Sequence, residues 1–559
     1  MSAIRRIVRR PAVVPSGDWP AHWPDLLRRV HAARGSDGRS AMPRLADLPP
    51  PSGLRGIDAA VALLRDAIAR DAHILVVGDF DCDGATACAL GVRGLRLLGA
   101  RQVSHAVPNR IVHGYGLTPG LVEELATLEP DLVVTVDHGI ACHAGIAAAK
   151  ARGWQVLVTD HHLPGPTLPP ADAIVNPNQP GCGFPSKALA GVGVVFYLLL
   201  ALRARLGVQA DLAALLDLVA VGTVADLVPL DACNRALVGA GLRRLRAGQG
   251  CAGLRALIEV AGRNAATLTT ADIGFAIAPR INAAGRLEDM SLGIECLLTD
   301  DPAHARHLAE ALHAINAERR AVQADMQDVA EARLDGLDVG HAVCLYDPDW
   351  HPGVVGLVAS KLKERLHRPA IAFAPAEPGS DLLRGSARSI PGFHVRDALA
   401  LVDARHPGLM TRFGGHAMAA GLSLPRDAFP AFRDAFVQVA REWLTDDLLT
   451  ESLYSDGELH AHELGIATAL ALRDGGHWGQ GYPEPLFDGI FTVRDFRVLK
   501  ERHLKLELEV DGVRCNAIHF NGWDGQAPAA RVRIAYRLVP DDWRGGDAIQ
   551  LVVAHREPA

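Results

Sequence analysis

The sequence of 559 residues is short of cysteine pairs and of long apolar segments, and each shortage excludes a class of protein. Its nine cysteines form no CxxC pair, which argues against a disulfide framework or a zinc ribbon and favours a reducing compartment. The longest apolar run, residues 188–202, falls below the roughly 20 residues that a membrane span requires. The basic residues at positions 5–10 precede Pro, Ser, Gly and Asp instead of the apolar core of a signal peptide. We therefore expect a cytoplasmic protein that does not enter a membrane.

The sequence also lacks an excess of positive charge, because its formal net charge is −7. Any surface that binds nucleic acid must therefore be local. The hydrophobic share of 49% and the charged share of 22% are those of a folded protein, which excludes a disordered or collagen-like chain. At about 150 residues per domain, the length predicts three or four domains.

Three short apolar runs, at 73–78, 131–136 and 155–159, alternate with segments of helical period. This alternation predicts an α/β domain with a parallel sheet covered on both faces. The three runs are followed by Asp79, Asp137 and Asp160, and ligands bind outside the carboxyl ends of such strands. A single aspartate there is typical of a helix cap. Three of them, each among further polar residues, favour a site.

The patterns along the chain predict five segments. A helix that opens at Asp301-Pro302 and continues to about Leu334 would span about 50 Å at 1.5 Å per residue, enough to bridge two domains. From about residue 450 the hydrophobic period changes to two, which predicts a small barrel. The segments are an irregular N-terminal arm (1–55), an α/β domain (56–235), a helical connector (236–340), a second α/β domain (341–445) and an all-β barrel (450–559).

Carboxylates and imidazoles are concentrated in short segments that suit metal binding. Aspartates at alternate positions of one loop would raise one another's pKa unless a cation compensated them. An EF-hand is disfavoured because the glutamate at the twelfth position is missing. Carboxylate and imidazole donors without a thiolate favour Mn²⁺ or Mg²⁺, and their number predicts two ions. The candidate residues are Asp79, Asp81, Asp83, Asp137, Asp160, His161, His162 and Asp226.

Eight sequence strings carry a resemblance to a known family. GDFDCDGATA (78–87), VDHGI (136–140), DHH (160–162) and GTVADLVPL (222–230) resemble the ordered motifs of the DHH phosphoesterase superfamily. Four later strings resemble the bacterial RecJ family of single-stranded-DNA exonucleases: PRINAAGRL (279–287), WHPGVVGLVASKLKER (350–365), GSARSIPGFH (385–394) and FGGHAMAAGL (413–422). One departure is His138, where we expect Asn in many relatives, beside the candidate ligand Asp137.

The resemblance implies a fold and an activity. The fold is a DHH parallel-sheet domain, joined by a long helix to a smaller α/β DHHA1 domain, with an OB-like barrel at the C-terminal end. The activity is metal-dependent digestion of single-stranded DNA in the 5′→3′ direction, releasing nucleoside 5′-monophosphates, in DNA recombination and repair. The implied ligands of two Mn²⁺ or Mg²⁺ ions are Asp81, Asp83, Asp137 as the bridge, His161 and Asp226, with Asp79 as an additional ligand. His162 is expected to contact the scissile phosphate.

Candidate DNA contacts follow from arginines and small residues in polar interruptions of the later motifs. Guanidinium groups bind phosphate bidentately, and glycine lets the backbone approach a ligand closely. The resemblance suggests that these residues bind the DNA 5′-phosphate and the adjoining backbone. Salt bridges are the alternative for each arginine, and tight helix packing is the alternative for the segment 414–421. The candidates are Arg110, Arg280, Asn282, Arg286, Ser386, Arg388, Gly415 and His416.

The predicted barrel region interleaves aromatic and cationic residues, as proteins that grip single strands do. Its members are Trp478, Tyr482, Phe487, Arg497, Lys500, Arg502, His503 and Lys505. The alternative is an aromatic core beneath a solvated charged face, and Trp478 and Phe487 fit that alternative best. The predicted DNA contacts are therefore Tyr482, Arg497, Lys500 and Arg502.

Two other functions stay open from the residues. One is a DHH phosphodiesterase or pyrophosphatase of small nucleotides or short oligonucleotides, although a small ligand requires neither a long helix nor a barrel. The other is a non-catalytic scaffold that binds single-stranded DNA, although the intact ligand set argues against a decayed site. The resemblance also implies a monomer whose partners include single-stranded DNA, single-stranded-DNA-binding protein and a RecQ-type helicase.

Overall fold

Residues 1–55 contain regular structure that the sequence did not predict. The computed structural model describes residues 4–110, 112–334, 339–541 and 543–559. Within the arm, strand β1 (Arg5–Arg9) and helix α1 (Asp25–Ala32) are formed. The strand was missed because three of its five residues are arginines and its pairing partner lies far along the chain.

The first α/β domain has a parallel five-stranded sheet in the order β3-β2-β4-β5-β6. The three predicted strands are its central strands, and the two edge strands were missed because one is polar and the other has three residues. The elements are α2 (Ile57–Ala69), β2 (Ile74–Val77), α3 (Cys82–Leu97), β3 (Val103–Ala106), α4 (Pro119–Leu125), β4 (Leu132–Val136), α5 (His143–Ala151), β5 (Gln155–Thr159), β6 (Ala173–Val175), α6 (Gly191–Leu206) and α7 (Leu216–Ala225).

The connector is helical and ends in the predicted rod. The 33 residues of its last helix correspond to about 50 Å at 1.5 Å per residue. Leu308 and Leu312 of this helix pack in the core of the first domain, whereas Met326 and Ala330 pack in the second, so the helix bridges the two. Residues 335–338 of the predicted connector lie outside the described residues. The elements are α8 (Ala232–Arg246), α9 (Ala252–Val260), α10 (Thr270–Asp272), a π-helical turn (Ile273–Ile277), α11 (Ala278–Leu287), α12 (Ser291–Leu298) and α13 (Pro302–Leu334).

The second α/β domain has a mixed sheet in the order β10-β11-β9-β8-β7, in which β7 and β8 are parallel. Its antiparallel strands were missed because their glycines were interpreted as ligand contacts or as tight helix packing, whereas residues 412–415 and 419–425 are strands. Gly385 lies within β9, and a Cβ there would lie 2.3 Å from the Phe373 ring, so this glycine accommodates core packing. The elements are β7 (Val343–Tyr346), α14 (Val355–Leu366), β8 (Ala370–Pro375), β9 (Leu382–Arg388), α15 (Val395–Arg405), β10 (Arg412–Gly415), β11 (Ala419–Pro425) and α16 (Phe429–Trp443).

The C-terminal barrel is closed and begins at Phe487 rather than near residue 450. The preceding residues form a strand and a helix outside the barrel. The elements are β12 (Glu451–Ser455), α17 (Ile466–Asp474), β13 (Phe487–Leu499), β14 (His503–Val510), β15 (Val513–His519), β16 (Arg531–Pro540) and β17 (Ile549–Pro558). Among the described residues, no helix combines the length and the hydropathy required to cross a membrane.

The N-terminal arm is held against the C-terminal region by strand pairing and by ion pairs to buried carboxylates. Strand β1 pairs in parallel with β12. Arg9 binds Asp488 of β13 at 2.9 Å, and that carboxylate is completely buried. Arg34 binds Asp456 at 2.8 Å with both side chains 2% exposed. We call this set of contacts the arm clasp.

Candidate metal centre and nucleic-acid interface

The carboxyl ends of β2, β4 and β5 place Asp79, Asp137 and Asp160 side by side, as predicted. All three side chains are buried. Asp137 directly follows β4 and has a φ of +65°, a left-handed conformation that is strained for a residue with a side chain. Its backbone N–H donates to the carbonyl of Thr159 at 3.0 Å, which fixes this strained turn against β5.

The predicted site residues form three groups whose donor atoms lie within 4.8 Å of one another. One group is Asp79, Asp81 and Asp137, another is Asp83, His161 and Asp226, and a third group, Asp137, His161 and His162, overlaps the other two. The His161 Nε2 atom joins the groups, because it lies 3.1 Å from an Asp137 oxygen and 3.4 Å from an Asp226 oxygen. These residues would hold two adjacent ions, and the bridging role of Asp137 stays a prediction.

Electrostatics and hydrogen bonding both indicate that the cluster is built for cations. Burial and the neighbouring Asp81 raise the pKa of Asp79 to about 8 and that of Asp83 to about 7. Burial and Asp83 raise the pKa of Asp137 and of Asp226 well above the usual value. Among the described residues, three buried atoms of the cluster accept or donate no hydrogen bond: Asp79 Oδ1, Asp137 Oδ1 and His161 Nε2. Divalent ions would relieve the repulsion and satisfy these atoms, so the residues present fit two Mn²⁺ or Mg²⁺ ions.

Helix α6 and two glycines support the cluster, a role that the sequence did not predict for any of them. The backbone N–H groups of Gly191 and Val192, at the start of α6, donate to Asp83 at 2.7 and 3.0 Å. A Cβ on Gly191 would lie 2.5 Å from an Asp137 oxygen, and one on Gly222 would lie 2.8 Å from an Asp83 oxygen. Glycine at both positions therefore lets helices approach the carboxylates. The only sequence signal is glycine within otherwise apolar helices.

Asp160 orients His162 and does not belong to any of the three groups. Its Oδ1 accepts from the His162 ring Nδ1 at 2.8 Å, and its Oδ2 accepts from the backbone of Ile140 at 2.9 Å. Burial opposes ionisation of Asp160, yet the hydrogen bond and charge of His162 hold its pKa well below the usual range. Asp160 was predicted in the catalytic set and not among the metal ligands; its catalytic role stays a prediction, and its contacts fit the positioning of His162.

The His138 side chain, whose identity departs from the expected Asn, points away from the candidate ions. It is buried, and its Nε2 lies 3.0 Å from the carbonyl of Val77 at the end of β2. Because a carbonyl only accepts, Nε2 carries the proton and donates this bond. His138 thus links β4 to β2 and leaves the ligand atoms of Asp137 free.

Three predicted DNA-binding arginines, Arg110, Arg286 and Arg388, form a cluster that we call the arginine pocket, in which Arg286 and Arg388 are half-buried and Arg110 is exposed. Burial, with Arg110 and Arg388 as charged neighbours, lowers the pKa of Arg286 to about 9. None of the three belongs to an ion pair recorded among the described residues. Arg388 donates to the Ser386 hydroxyl at 2.9 Å, and Gly356 of α14 would place a Cβ 3.0 Å from both side chains.

Phe80 links the arginine pocket to the metal loop, because the Arg110 guanidinium lies over its ring at 4.5 Å from the centroid. Phe80 lies between the cluster residues Asp79 and Asp81. An anion held by the three arginines would therefore lie beside the ions. The pocket unites side chains from the first domain, the connector and the second domain.

The other residues predicted to contact DNA have different surroundings in the structure. Asn282 accepts from the backbone N–H of Cys82 at 2.9 Å and so positions the metal loop. His416 lies close enough to His162 for the two charges to interact. Gly415 has a φ of +145°, and a Cβ there would lie 2.4 Å from the Ala419 carbonyl, so the hairpin itself requires glycine. Arg280 is 8% exposed and bonds to His313 of α13 and to the Ala276 carbonyl, so its role in DNA binding stays a prediction without geometric support.

In the C-terminal region the structure separates core residues from exposed ones. The prediction that Tyr482 contacts DNA is wrong, because its side chain is buried beneath Arg235 and its hydroxyl bonds to His31 and Ser36. Trp478 and Phe487 are also buried, as the alternative interpretation held. Arg497, Lys500 and Arg502 are exposed and occur in no ion pair recorded for the described part of the chain.

Aromatic rings that the sequence did not single out accompany these cations. Phe496 stacks on Trp523 with ring centroids 6.3 Å apart. Phe520 is 58% exposed and contacts the His503 ring edge-on at 5.5 Å. The loop after β15 is fixed to the β13–β14 turn, because the backbone N–H of Trp523 donates to the Arg502 carbonyl at 3.1 Å. Rings and cations therefore share one end of the barrel.

The sheet, its acidic and histidine cluster and the second domain define a phosphoesterase of the DHH class. The family model described as the DHH family N-terminal domain matches residues 73–223, the DHHA1 domain matches 338–445, and the RecJ OB domain matches 455–555. The single-stranded-DNA-specific exonuclease RecJ of Dickeya dadantii is 49% identical over 100% of both chains. The protein of the same name from Escherichia coli is 46% identical over 98% of both. The chain belongs to the RecJ family.

Solved structures agree with this assignment. RecJ of Thermus thermophilus in complex with Mn²⁺ superimposes with a TM-score of 0.81 at 33% identity, over 96% of this chain and 76% of that one. The same protein in complex with Mg²⁺ gives a TM-score of 0.77 at 31% identity, over 96% and 75%. These relatives hold the ions that the donor chemistry of the present cluster favours.

Proposed function

We propose that this chain hydrolyses single-stranded DNA from its 5′ end with two Mn²⁺ or Mg²⁺ ions and releases nucleoside 5′-monophosphates. The observation that carries the proposal is the position of the arginine pocket beside the metal cluster. A terminal phosphate is a dianion, whereas an internal phosphodiester is a monoanion, so a pocket with three guanidinium groups favours a strand end. Ions beside that pocket would then lie near the first phosphodiester bond.

Each part of the site has a distinct role in this proposal. Asp81, Asp83, Asp137, His161 and Asp226 would hold the ions, with Asp79 as a further ligand. Bound ions supply an activated water and neutralise the charge that develops on the phosphate and the leaving oxygen. His162, oriented by Asp160, keeps its Nε2 available to donate to the scissile phosphate. Asn282 and Gly191 keep the carboxylate loops in place.

The barrel would hold the strand away from the reacting end. Stacked and edge-on rings next to Lys500 and Arg502 suit bases and phosphates of a single strand, because stacking requires no particular base sequence. We further propose, on the family resemblance alone, that the protein acts in the cytoplasm as a monomer in DNA recombination and repair. Single-stranded-DNA-binding protein and a RecQ-type helicase are its expected protein partners.

The proposal is tested with a long single strand labelled at either end and incubated with Mn²⁺, Mg²⁺ or EDTA. We expect mononucleotide release from the 5′ label first, in either metal and not in EDTA. Asp137→Ala should abolish hydrolysis while strand binding persists, whereas Asp58→Ala, an exposed carboxylate of the same domain, should act like the wild type. Hydrolysis of dinucleotides or pyrophosphate alone would instead indicate a small-substrate enzyme, and binding without hydrolysis would indicate a scaffold.

A further inference from the structure

A cavity of about 960 Å³ lies between the connector, the segment before the barrel and strand β16 of the barrel. At one side it is lined by Leu227, the residue that follows the candidate ligand Asp226. At the other side it is lined by residues 537–540 of β16. The cavity therefore extends from the edge of the metal centre to the barrel.

The charge of this cavity favours a polyanion. Four arginines line it, Arg246, Arg263, Arg473 and Arg537, against two carboxylates, Asp272 and Glu484. Three of these arginines are paired with carboxylates: Arg263 with Asp272, Arg537 with Glu484, and Arg473 with Asp474 beside the cavity. Four arginines against three carboxylates leave a local excess of one positive charge, whereas the chain has a formal net charge of −7. The lining therefore offers guanidinium donors and a small positive excess where a strand would pass between the metal centre and the barrel.

One aromatic ring projects into the cavity from an irregular helix. Phe275 is 85% exposed, although its neighbours Ile273 and Ile277 in the same π-helical turn are completely buried. Such turns are rare and occur frequently at functional sites. The next residue toward the N-terminus, Gly274, packs against Val224 of α7 with a Cβ position 3.7 Å from it, so the turn is fixed beside the helix that ends at Asp226.

A second apolar side chain lies on the same surface. Leu227 is 70% exposed and has a φ of +60°, which directs the chain sharply out of α7. A ring and an aliphatic side chain, surrounded by arginines, provide a face for a base and charges for its phosphate. Base stacking on an aromatic side chain is the common device by which proteins hold single strands without selecting sequence.

We infer that Phe275 stacks on a nucleobase of the DNA strand a few nucleotides beyond the scissile bond, and that this cavity holds that part of the strand. The inference rests on the proposed function. It assigns to Phe275 a positioning role, because the ring touches substrate away from the reacting atoms. Stacking of one base keeps the strand from retreating after each terminal nucleotide is released.

The test is a double-mutant cycle between the ring and the base. Hydrolysis of a 5′-phosphorylated 12-nucleotide strand is compared with strands that carry one abasic site at each of positions 2 to 6. Phe275→Ala should lower kcat/KM on the intact strand by about 5- to 150-fold. At one position the abasic site should lower the wild-type rate to the same extent and leave Phe275→Ala unchanged. Phe275→Trp should retain the wild-type rate, and Phe275→Leu should not.

Two results would overturn the inference. Equal kcat/KM for wild type and Phe275→Ala would show that the ring does not contact the strand. If the losses in kcat/KM from Phe275→Ala and from the abasic site multiply at every position, the side chain does not stack on a base. Full activity of Phe275→Leu would show the same. Phe275 is largely exposed, so we expect the variants to unfold at the same temperature as the wild type. An unchanged unfolding temperature shows that a loss of activity is not caused by misfolding. An inactive wild type would instead refute the proposed function.

Discussion

At the residue scale, the like charges of the arginine pocket repel one another when no anion is bound. Arg110, Arg286 and Arg388 lie close together, and the pKa of Arg286 falls to about 9 because burial and its charged neighbours disfavour the protonated form. The Ser386 hydroxyl and the Ala387 carbonyl accept from Arg388 but supply no negative charge. An anionic ligand would remove this repulsion, which is the physical reason to expect a terminal phosphate there.

Arg388→Ala should therefore act mainly on strands that carry a 5′-phosphate. A charge-assisted contact contributes roughly 1.5–3 kcal/mol, so we expect a loss of about 10- to 150-fold in kcat/KM on phosphorylated strands and a small loss on 5′-hydroxyl strands. Both substrates are compared at one salt concentration, since phosphate contacts are sensitive to salt. Arg405→Ala, which removes an exposed arginine paired with Glu442 in the same domain, is the matched control. An equal loss of kcat/KM on the two substrates would show that Arg388 does not bind the terminal phosphate.

The sequence predicted the ligand residues because their types and their places after strands are local features. It left Asp160 without a specific role, since only the structure shows that its oxygens face His162 and the backbone of Ile140. Gly191 could not be identified for a similar reason, because its contact with Asp137 joins residues distant in sequence. Tyr482 was misjudged because a tyrosine beside cations looks the same whether it stacks on DNA or on Arg235.

At the scale of elements, the start of α6 joins the two ion positions. Its first N–H groups bind Asp83, and the missing side chain of Gly191 leaves room for Asp137. The positive end of the helix dipole adds to these hydrogen bonds and favours the charged carboxylate. One helix terminus thus controls the spacing between two candidate ligands.

Gly191→Ala should inactivate the enzyme while Gly193→Ala should not. At position 191 a Cβ would lie 2.5 Å from Asp137, and at 193 it would meet only the flexible end of the Leu189 side chain at 3.3 Å. A ligand displaced by about 1 Å costs on the order of 100-fold in rate. Steady-state kinetics at several Mn²⁺ concentrations, with thermal unfolding as the control for folding, checks this expectation. Wild-type activity of Gly191→Ala would contradict it.

The turn between β13 and β14 should contribute phosphate contacts. Removing Lys500 and Arg502 together should reduce the slope of log affinity against log salt concentration by about 1.4, since each phosphate contact to a single strand contributes about 0.7. Binding is measured in EDTA so that the strand stays intact. Arg514→Ala is the control, because Arg514 is also exposed but is paired with Glu507 and Glu509. An unchanged slope in the double variant would exclude this turn from the interface.

Elements with a strong period were predictable, and elements defined by their partners were not. The central strands β2, β4 and β5 and the long helix α13 have continuous or periodic apolar patterns. The edge strand β3 is half polar, and β12 exists because β1 pairs with it. This dependence on distant partners also explains why the start of the barrel was placed too early.

At the scale of the whole molecule, His31 holds the arm clasp together as a neutral side chain. Its Nε2 donates to the Gly475 carbonyl at 2.7 Å, and its Nδ1 accepts from the Tyr482 hydroxyl at 2.6 Å. Burial lowers the pKa of His31 to about 4, and the facing charges of Arg34, Arg235 and His477 act in the same direction.

Acid should therefore loosen the arm. In the folded state the pKa of His31 lies below its unfolded value of about 6.5, so its contribution to stability is complete above pH 6.5 and declines as the pH falls toward 4. Within this window, each unit of pH changes the equilibrium constant for opening the arm by about tenfold. Hydrogen exchange of α1, corrected for its intrinsic rate, should show roughly 20-fold less protection at pH 5 than at pH 7. His31→Asn should remove most of this difference, and equal protection of the wild type at both pH values would contradict the expectation.

The pairing of β1 with β12 also constrains how the protein is made. Arg5 and its partner Glu451 are separated by 446 positions. At roughly 5–20 residues per second, a ribosome would complete the second strand roughly 20 to 90 seconds after the first. During that interval the first strand has no native partner, although both α/β domains can already fold. The unpaired strand carries three positive charges, from Arg5, Arg6 and Arg9. Charged edge strands resist aggregation.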